Sequence, residues 1–173
     1  MRADAARNLD AVLQTGARLL ATDTGTSIAA IAAAAGVDRR TVYRRFDTRE
    51  ALLTAIHAAK LDACEQALAQ ARPAEAPVAV ALHRYAEGII TVARRWPVDL
   101  QRVRDDAVAA RFRQLIEQLD VFMARAVREG VLRPGLQDRS LLTHLASHEM
   151  PELTPAQGAD MVVRSLINGL GPA

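Results

Sequence analysis

The stretch Thr26–Leu53, TSIAAIAAAAGVDRRTVYRRFDTREALL, decides how the chain is read. Three short helices follow one another in it. Ser27 is placed to cap the first, because its hydroxyl accepts from a free backbone N–H of the opening turn. Ile28, Ile31, Ala32 and Ala35 then recur at helical spacing and give that helix one buried face. Gly36 ends it, since glycine takes the positive φ of a sharp turn without steric cost. Val37 is the apolar plug behind the turn. Asp38 opens a second helix, in which Val42 and Phe46 lie four apart on the inner face. Asp47 and Glu50 are spaced as a D-x-x-E capping box for the third. Helix, glycine turn, helix is the order of the DNA-binding helix-turn-helix.

The outer face of the second helix carries the chemistry. Arg39, Arg40, Thr41, Tyr43, Arg44 and Arg45 leave only Val42 and Phe46 for a core. Cations, a hydroxyl and a phenol suit phosphates and base edges in a major groove. A charge run taken alone is usually a solvated face. This one sits on the helix after a glycine turn, so DNA binding is the expectation. Arg40 and Arg44 are the expected base readers, because arginine bonds guanine bidentately.

The segment AIAAAAGVDRRTVYRRFDTREALL resembles the N-terminal signature of the tetracycline-repressor (TetR) family of transcriptional regulators. The family pattern A-x-x-A-G-V-S-x-x-T-[LV]-Y-x-[HY]-F-x-[ST]-[KR]-E-x-L is matched at Ala32, Ala35, Gly36, Val37, Thr41, Val42, Tyr43, Phe46, Thr48, Arg49, Glu50 and Leu52. The chain departs from it at Asp38 and Arg45. Asp38 still serves as an N-cap, whereas Arg45 alters the detailed contacts. The resemblance implies an all-α regulator that binds operator double-stranded DNA as a homodimer. It also implies DNA contacts at Thr41, Tyr43, Arg45 and Arg49, and release by a small-molecule effector bound in a second helical domain. The loop VLRPGL matches a further family connection at Leu132, Arg133 and Pro134.

Composition bounds the rest. The 173 residues are 50% hydrophobic but only 3% aromatic, so the core must be built from alanine, leucine and valine. No run alternates at period two, so no strands are expected. The net charge of +2 makes the basic character local to the helix-turn-helix. Cys64 is the single cysteine, which excludes an internal disulfide and reads as a small buried hydrophobe. No apolar run follows the N-terminal arginine as in a signal peptide, and none is long enough for a bilayer. A cytoplasmic protein with no membrane association is expected.

About nine helices are expected in two domains: DNA binding over residues 1–50, effector binding and dimerisation over 51–173. The first helix runs over residues 4–21, with Leu9, Val12, Leu13, Gly16, Ala17 and Leu20 inward. A long helix over 48–70 is the natural rod between the domains. Pro73 and Pro77 break the chain after it. A helix over 77–95 stops before Trp96-Pro97, because the residue before proline avoids the α region. A short helix is expected over 99–104, a strongly amphipathic one from Phe112 to Gly130, and another over 138–150. The last begins at Thr154-Pro155-Ala156-Gln157, a capping box with proline at the first position.

Three further sites follow. An effector pocket is expected among Leu61, Cys64, Leu68, Tyr85, Ile89, Trp96, Phe112, Leu119 and Phe122, with His83, Arg104 and Gln118 as available polar groups. A two-fold interface is expected on Leu141, Leu142, Leu145, Met161, Ser165 and Leu166, paired as a four-helix bundle. His144 and His148 are spaced i, i+4 beside Glu149, but H-E-x-x-H is missing and no metal is expected. No cofactor is expected either. No nucleophile–base set or phosphate loop supports an enzyme. The alternatives are a helix-turn-helix regulator controlled by a protein partner and, further off, a metal-binding helical protein.

Overall fold

The computed structural model describes residues 2–133 and 152–168. Those residues form seven α-helices and one 3-10 turn, and no strand. The helices are α1 (Arg2–Thr22), α2 (Ile28–Ala34), α3 (Arg39–Arg45), α4 (Arg49–Ala71), α5 (Val78–Arg95), α6 (Asp106–Arg128) and α7 (Pro155–Asn168). The 3-10 turn is Leu100–Arg102. The predicted helix over 138–150 lies outside the described residues.

Two compact units result. The first holds the described residues up to Asp62 together with Arg95–Ala110. The second holds Ala63–Arg94 and the described residues from Arg111 onward.

In the first unit, Val12, Ala17 and Leu20 of α1 are buried, as are Ile28, Ile31 and Ala32 of α2. Ile56 of α4 is fully buried with them. Gly16 lets α1 come close to these side chains: a Cβ there would lie 2.8 Å from Ile56 Cδ1 and 3.5 Å from Ile31 Cγ2. The segment after α5 is stitched into the same unit. Lys60 Nζ donates to the Val98 carbonyl at 2.5 Å, and Arg95 pairs with Asp10 of α1 at 3.1 Å. Trp96, Val98 and Leu100 are buried there.

In the second unit, Leu68, Leu82, Tyr85, Leu119, Phe122, Met123 and Leu166 are buried. The close approach here belongs to Gly88 of α5, where a Cβ would lie 2.9 Å from Ala67 Cβ. Arg125 Nη1 donates to the carbonyls of Pro73 and Ala76 at 2.5 and 3.1 Å, fastening α6 to the turn after α4.

Several boundaries differ from expectation. The box at α4 is not Asp47–Glu50: Thr48 is the cap, its Oγ1 accepting from the Ala51 N–H at 3.1 Å. With Thr48 as cap, the reciprocal position falls on Ala51, which has no side chain to return the bond. The expected helix over 99–104 shrinks to one 3-10 turn capped by Asp99, whose carboxylate accepts from Gln101 N–H at 2.8 Å. The next helix starts earlier than Phe112, because Asp105 accepts from the N–H groups of Ala107 and Val108 at 3.1 and 3.0 Å. The Thr154–Gln157 box of α7 forms in both directions, at 2.9 and 3.3 Å.

Candidate nucleic-acid interface

Local bonding explains why α3 stands where it does. Ser27 Oγ accepts from Ala30 N–H at 3.2 Å and starts α2. α2 ends in a paired C-terminal turn: Val37 N–H reaches the Ala32 carbonyl at 3.0 Å, and Gly36 N–H reaches that of Ala33 at 3.1 Å. The turn requires φ of +66° at Gly36, which a side chain would strain. Asp38 then caps α3, its Oδ1 accepting from Arg40 N–H at 2.9 Å and Thr41 N–H at 3.3 Å.

With that start fixed, Val42 and Phe46 point into the core at 3% and 7% exposure. Arg39, Arg40, Thr41, Tyr43, Arg44 and Arg45 are all exposed. Over residues 39–46 the helix carries four arginines and no acid. Within this face the Arg39 guanidinium lies 5.0 Å from the centroid of the Tyr43 ring, a cation–π contact that the sequence reading did not anticipate. Its signal was present, since Arg39 and Tyr43 are i, i+4 neighbours on a helix.

Arg49 is placed differently from the other six. It is half-buried, its Nε donating to the Thr26 carbonyl at 3.3 Å and its Nη2 to that of Thr24. The side chain therefore ties the start of α4 to the turn between α1 and α2.

The expected pocket residues divide between the units. Leu61 and Trp96 belong to the core of the first, while Cys64, Leu68, Tyr85, Ile89, Phe112, Leu119 and Phe122 belong to the second. Ile89 and Phe112 are half-buried and the rest of that second set are buried. Burial pushes the Tyr85 phenol far above its usual range, so it stays protonated. Arg104 and Gln118 are exposed, and His83 bonds Asp160 of α7 at 2.8 Å.

Of the expected interface, Leu141, Leu142 and Leu145 lie outside the described residues, as do His144, His148 and Glu149. Met161 is 39% exposed and Ser165 half-buried, but Leu166 is fully buried within its own chain. The pattern of small and apolar residues along α7 turns Leu166 inward with Ala159, Val162 and Val163.

Residues 13–56 match the family described as bacterial regulatory proteins, tetR family. This span covers α2, α3 and parts of α1 and α4. A nucleoid occlusion factor, SlmA of Marinobacter nauticus, is 27% identical, over 89% of this chain and 77% of that protein. The TetR-like transcriptional regulator LfrR of Mycobacterium smegmatis, in complex with proflavine, superposes with a TM-score of 0.72 at 25% identity. That superposition covers 96% of this chain and 99% of LfrR. AibR in complex with isovaleryl coenzyme A and operator DNA gives a TM-score of 0.73 at 22% identity, covering 92% of this chain and 98% of AibR.

Proposed function

From a chain that belongs to the TetR family of DNA-binding transcriptional regulators, we propose a repressor that grips operator DNA as a homodimer and lets go when a small molecule binds. The observation that carries the DNA half is the exposed, acid-free arginine face of α3, set by the Gly36 turn and the Asp38 cap. Thr41, Tyr43, Arg44 and Arg45 with Arg39 and Arg40 make that contact. The N-terminal fifty residues bind DNA, and effector and partner copy bind to the second unit.

The effector half rests on similarity: one relative in fold was captured with proflavine and another with isovaleryl coenzyme A. In this chain the effector site lies within the second unit, around Cys64, Leu68, Tyr85, Leu119 and Phe122. With aromatic residues at 3% of the chain, an aliphatic ligand fits better than a stacked planar one. Because α4 carries residues of both units, it is the route by which binding reaches DNA. The ligand must favour one arrangement over the other to shift anything, and a coupling of about 1–3 kcal/mol is ordinary.

The test pairs two measurements on the full chain. Footprinting on DNA flanking its own gene should reveal a protected site. A thermal-shift screen of aliphatic metabolites should find a compound that raises Tm and releases that DNA. A compound that stabilises the protein without weakening DNA binding would rule out effector release. The alternative reading is a helix-turn-helix regulator controlled by a protein partner. In that case the screen finds no compound, and release requires a second protein.

A further inference from the structure

The arginines of α3 are not equivalent, and helix geometry sorts them. Successive residues turn by about 100° around an α-helix. Val42 and Phe46, both buried, mark the inward direction. Counting from their midpoint, Arg44 falls about 180° away and Arg40 within about 40° of that direction. These two side chains therefore lie on the outermost ridge of the helix. Tyr43 lies about 80° from the inward direction, on one flank, and there the Arg39 guanidinium sits 5.0 Å from its ring centroid. Thr41 and Arg45 occupy the other. Among the described residues, none holds the guanidinium of Arg40 or Arg44 in a hydrogen bond, ion pair or ring contact. Arg40 contributes only its backbone N–H, to Asp38.

A helix seated in a major groove turns its outermost ridge to the base edges and its flanks to the two phosphate strands. Arginine on that ridge meets the O6 and N7 acceptors of guanine, the pairing its two parallel N–H donors fit best. We propose that each operator half-site contains two guanines, one read by Arg40 and one by Arg44. Four residues of helix advance by about 6 Å, which places the guanines within about two base pairs of each other. The flanking pairs hold the backbone: Arg39 fixes the Tyr43 ring against one strand, and Thr41 with Arg45 meets the other. The occupant is B-form duplex DNA, since the deep, narrow major groove of A-form RNA does not admit side chains to its bases. This proposal rests on the DNA-binding reading above and specifies its ligand.

The experiment uses the full-length chain and a pool of random DNA duplexes, selected at one fixed salt concentration. The selected half-sites should share two guanines. Arg44→Ala and Arg40→Ala should each lower affinity for that duplex by about 5–150-fold and erase the preference at one guanine only. Replacing one guanine by 7-deazaguanine removes the N7 acceptor. It should weaken the parent chain but leave the matching alanine variant unaffected. Arg45→Ala should weaken all duplexes alike and reduce the salt slope. Both ridge side chains are exposed, so circular dichroism and Tm of the variants should match the parent. Sequence-selective binding that ignores the guanines or the 7-deaza substitution would overturn this proposal and leave the regulator reading standing. A chain with no sequence preference for duplex DNA would overturn both.

Discussion

Arg49 fits the family pattern as a DNA contact, yet its guanidinium is bonded to the Thr24 and Thr26 carbonyls. A half-buried charged donor bonded twice to backbone contributes about 1–2 kcal/mol. Arg49→Ala should therefore lower the urea midpoint and weaken DNA binding together, whereas exposed Arg45→Ala should weaken binding alone. An Arg49→Ala chain that melts like the parent but has lost affinity would return this residue to the phosphate backbone. His57 on α4 makes a second prediction at this scale. It is 4% exposed, and burial, then the Lys60 ammonium, holds its imidazole below the ordinary 6.5, with Asp99 opposing. The folded chain thus resists a proton that the unfolded chain accepts. The stability this difference contributes is complete above 6.5 and is lost as pH falls below it. Urea titrations should show the midpoint falling between about pH 7 and pH 5, with His57→Leu flattening that fall. An unchanged slope in the variant would assign the acid sensitivity elsewhere.

Element ends were legible wherever a short polar side chain or glycine decides them. Ser27, Gly36, Asp38, Gly130 and Thr154 all act as their residue types require. At α4, Asp47 and Thr48 both had cap chemistry, and spacing to Glu50 favoured the wrong one. In the fold Thr48 takes the role, its Oγ1 accepting from the Ala51 N–H. Close helix contact was less legible, because a glycine within an alanine-rich helix resembles its neighbours. Gly88 illustrates it. Its absent Cβ would meet Ala67 Cβ at 2.9 Å and Ala67 Cα at 3.5 Å, and alanine has no side chain to move away. Gly88→Ala should gain about 1 kcal/mol of helix propensity and lose about 1–3 kcal/mol to overpacking. A net loss of stability in denaturant melts is the expected result. Gly16→Ala should be milder, because its 2.8 Å neighbour is the terminal Cδ1 of Ile56, which can rotate. A Gly88→Ala chain more stable than the parent would mean that α4 and α5 separate freely.

At the scale of the whole molecule, the sequence reading places all of residues 51–173 in one domain, but Arg95–Ala110 packs with the N-terminal unit. Nothing in the order of residues announces that return. It is made by tertiary contacts, Lys60 to the Val98 carbonyl and Arg95 to Asp10. The same limit governs the dimer surface. Apolar spacing alone nominated both Met161 and Leu166, and periodicity cannot tell a side chain buried within its own chain from one awaiting a partner. The structure separates them, with Met161 39% exposed and Leu166 at 0%. One helix-turn-helix covers half an operator, and dimers span half-sites spaced by about one helical turn or multiples. The proposed two-fold contact therefore needs an exposed apolar residue on α7, and Met161 provides it. Sedimentation of the parent chain at about micromolar concentration, tight enough for a dimer of about 8 kcal/mol, should give twice the monomer mass. Met161→Glu should sediment as a folded monomer, with unchanged circular dichroism and weakened operator binding. Leu166→Glu should instead lose helix content, because it buries a charge with no partner in the core of the second unit. A Met161→Glu chain that remains dimeric would move the interface off this face of α7, and a monomeric parent would remove the dimer altogether.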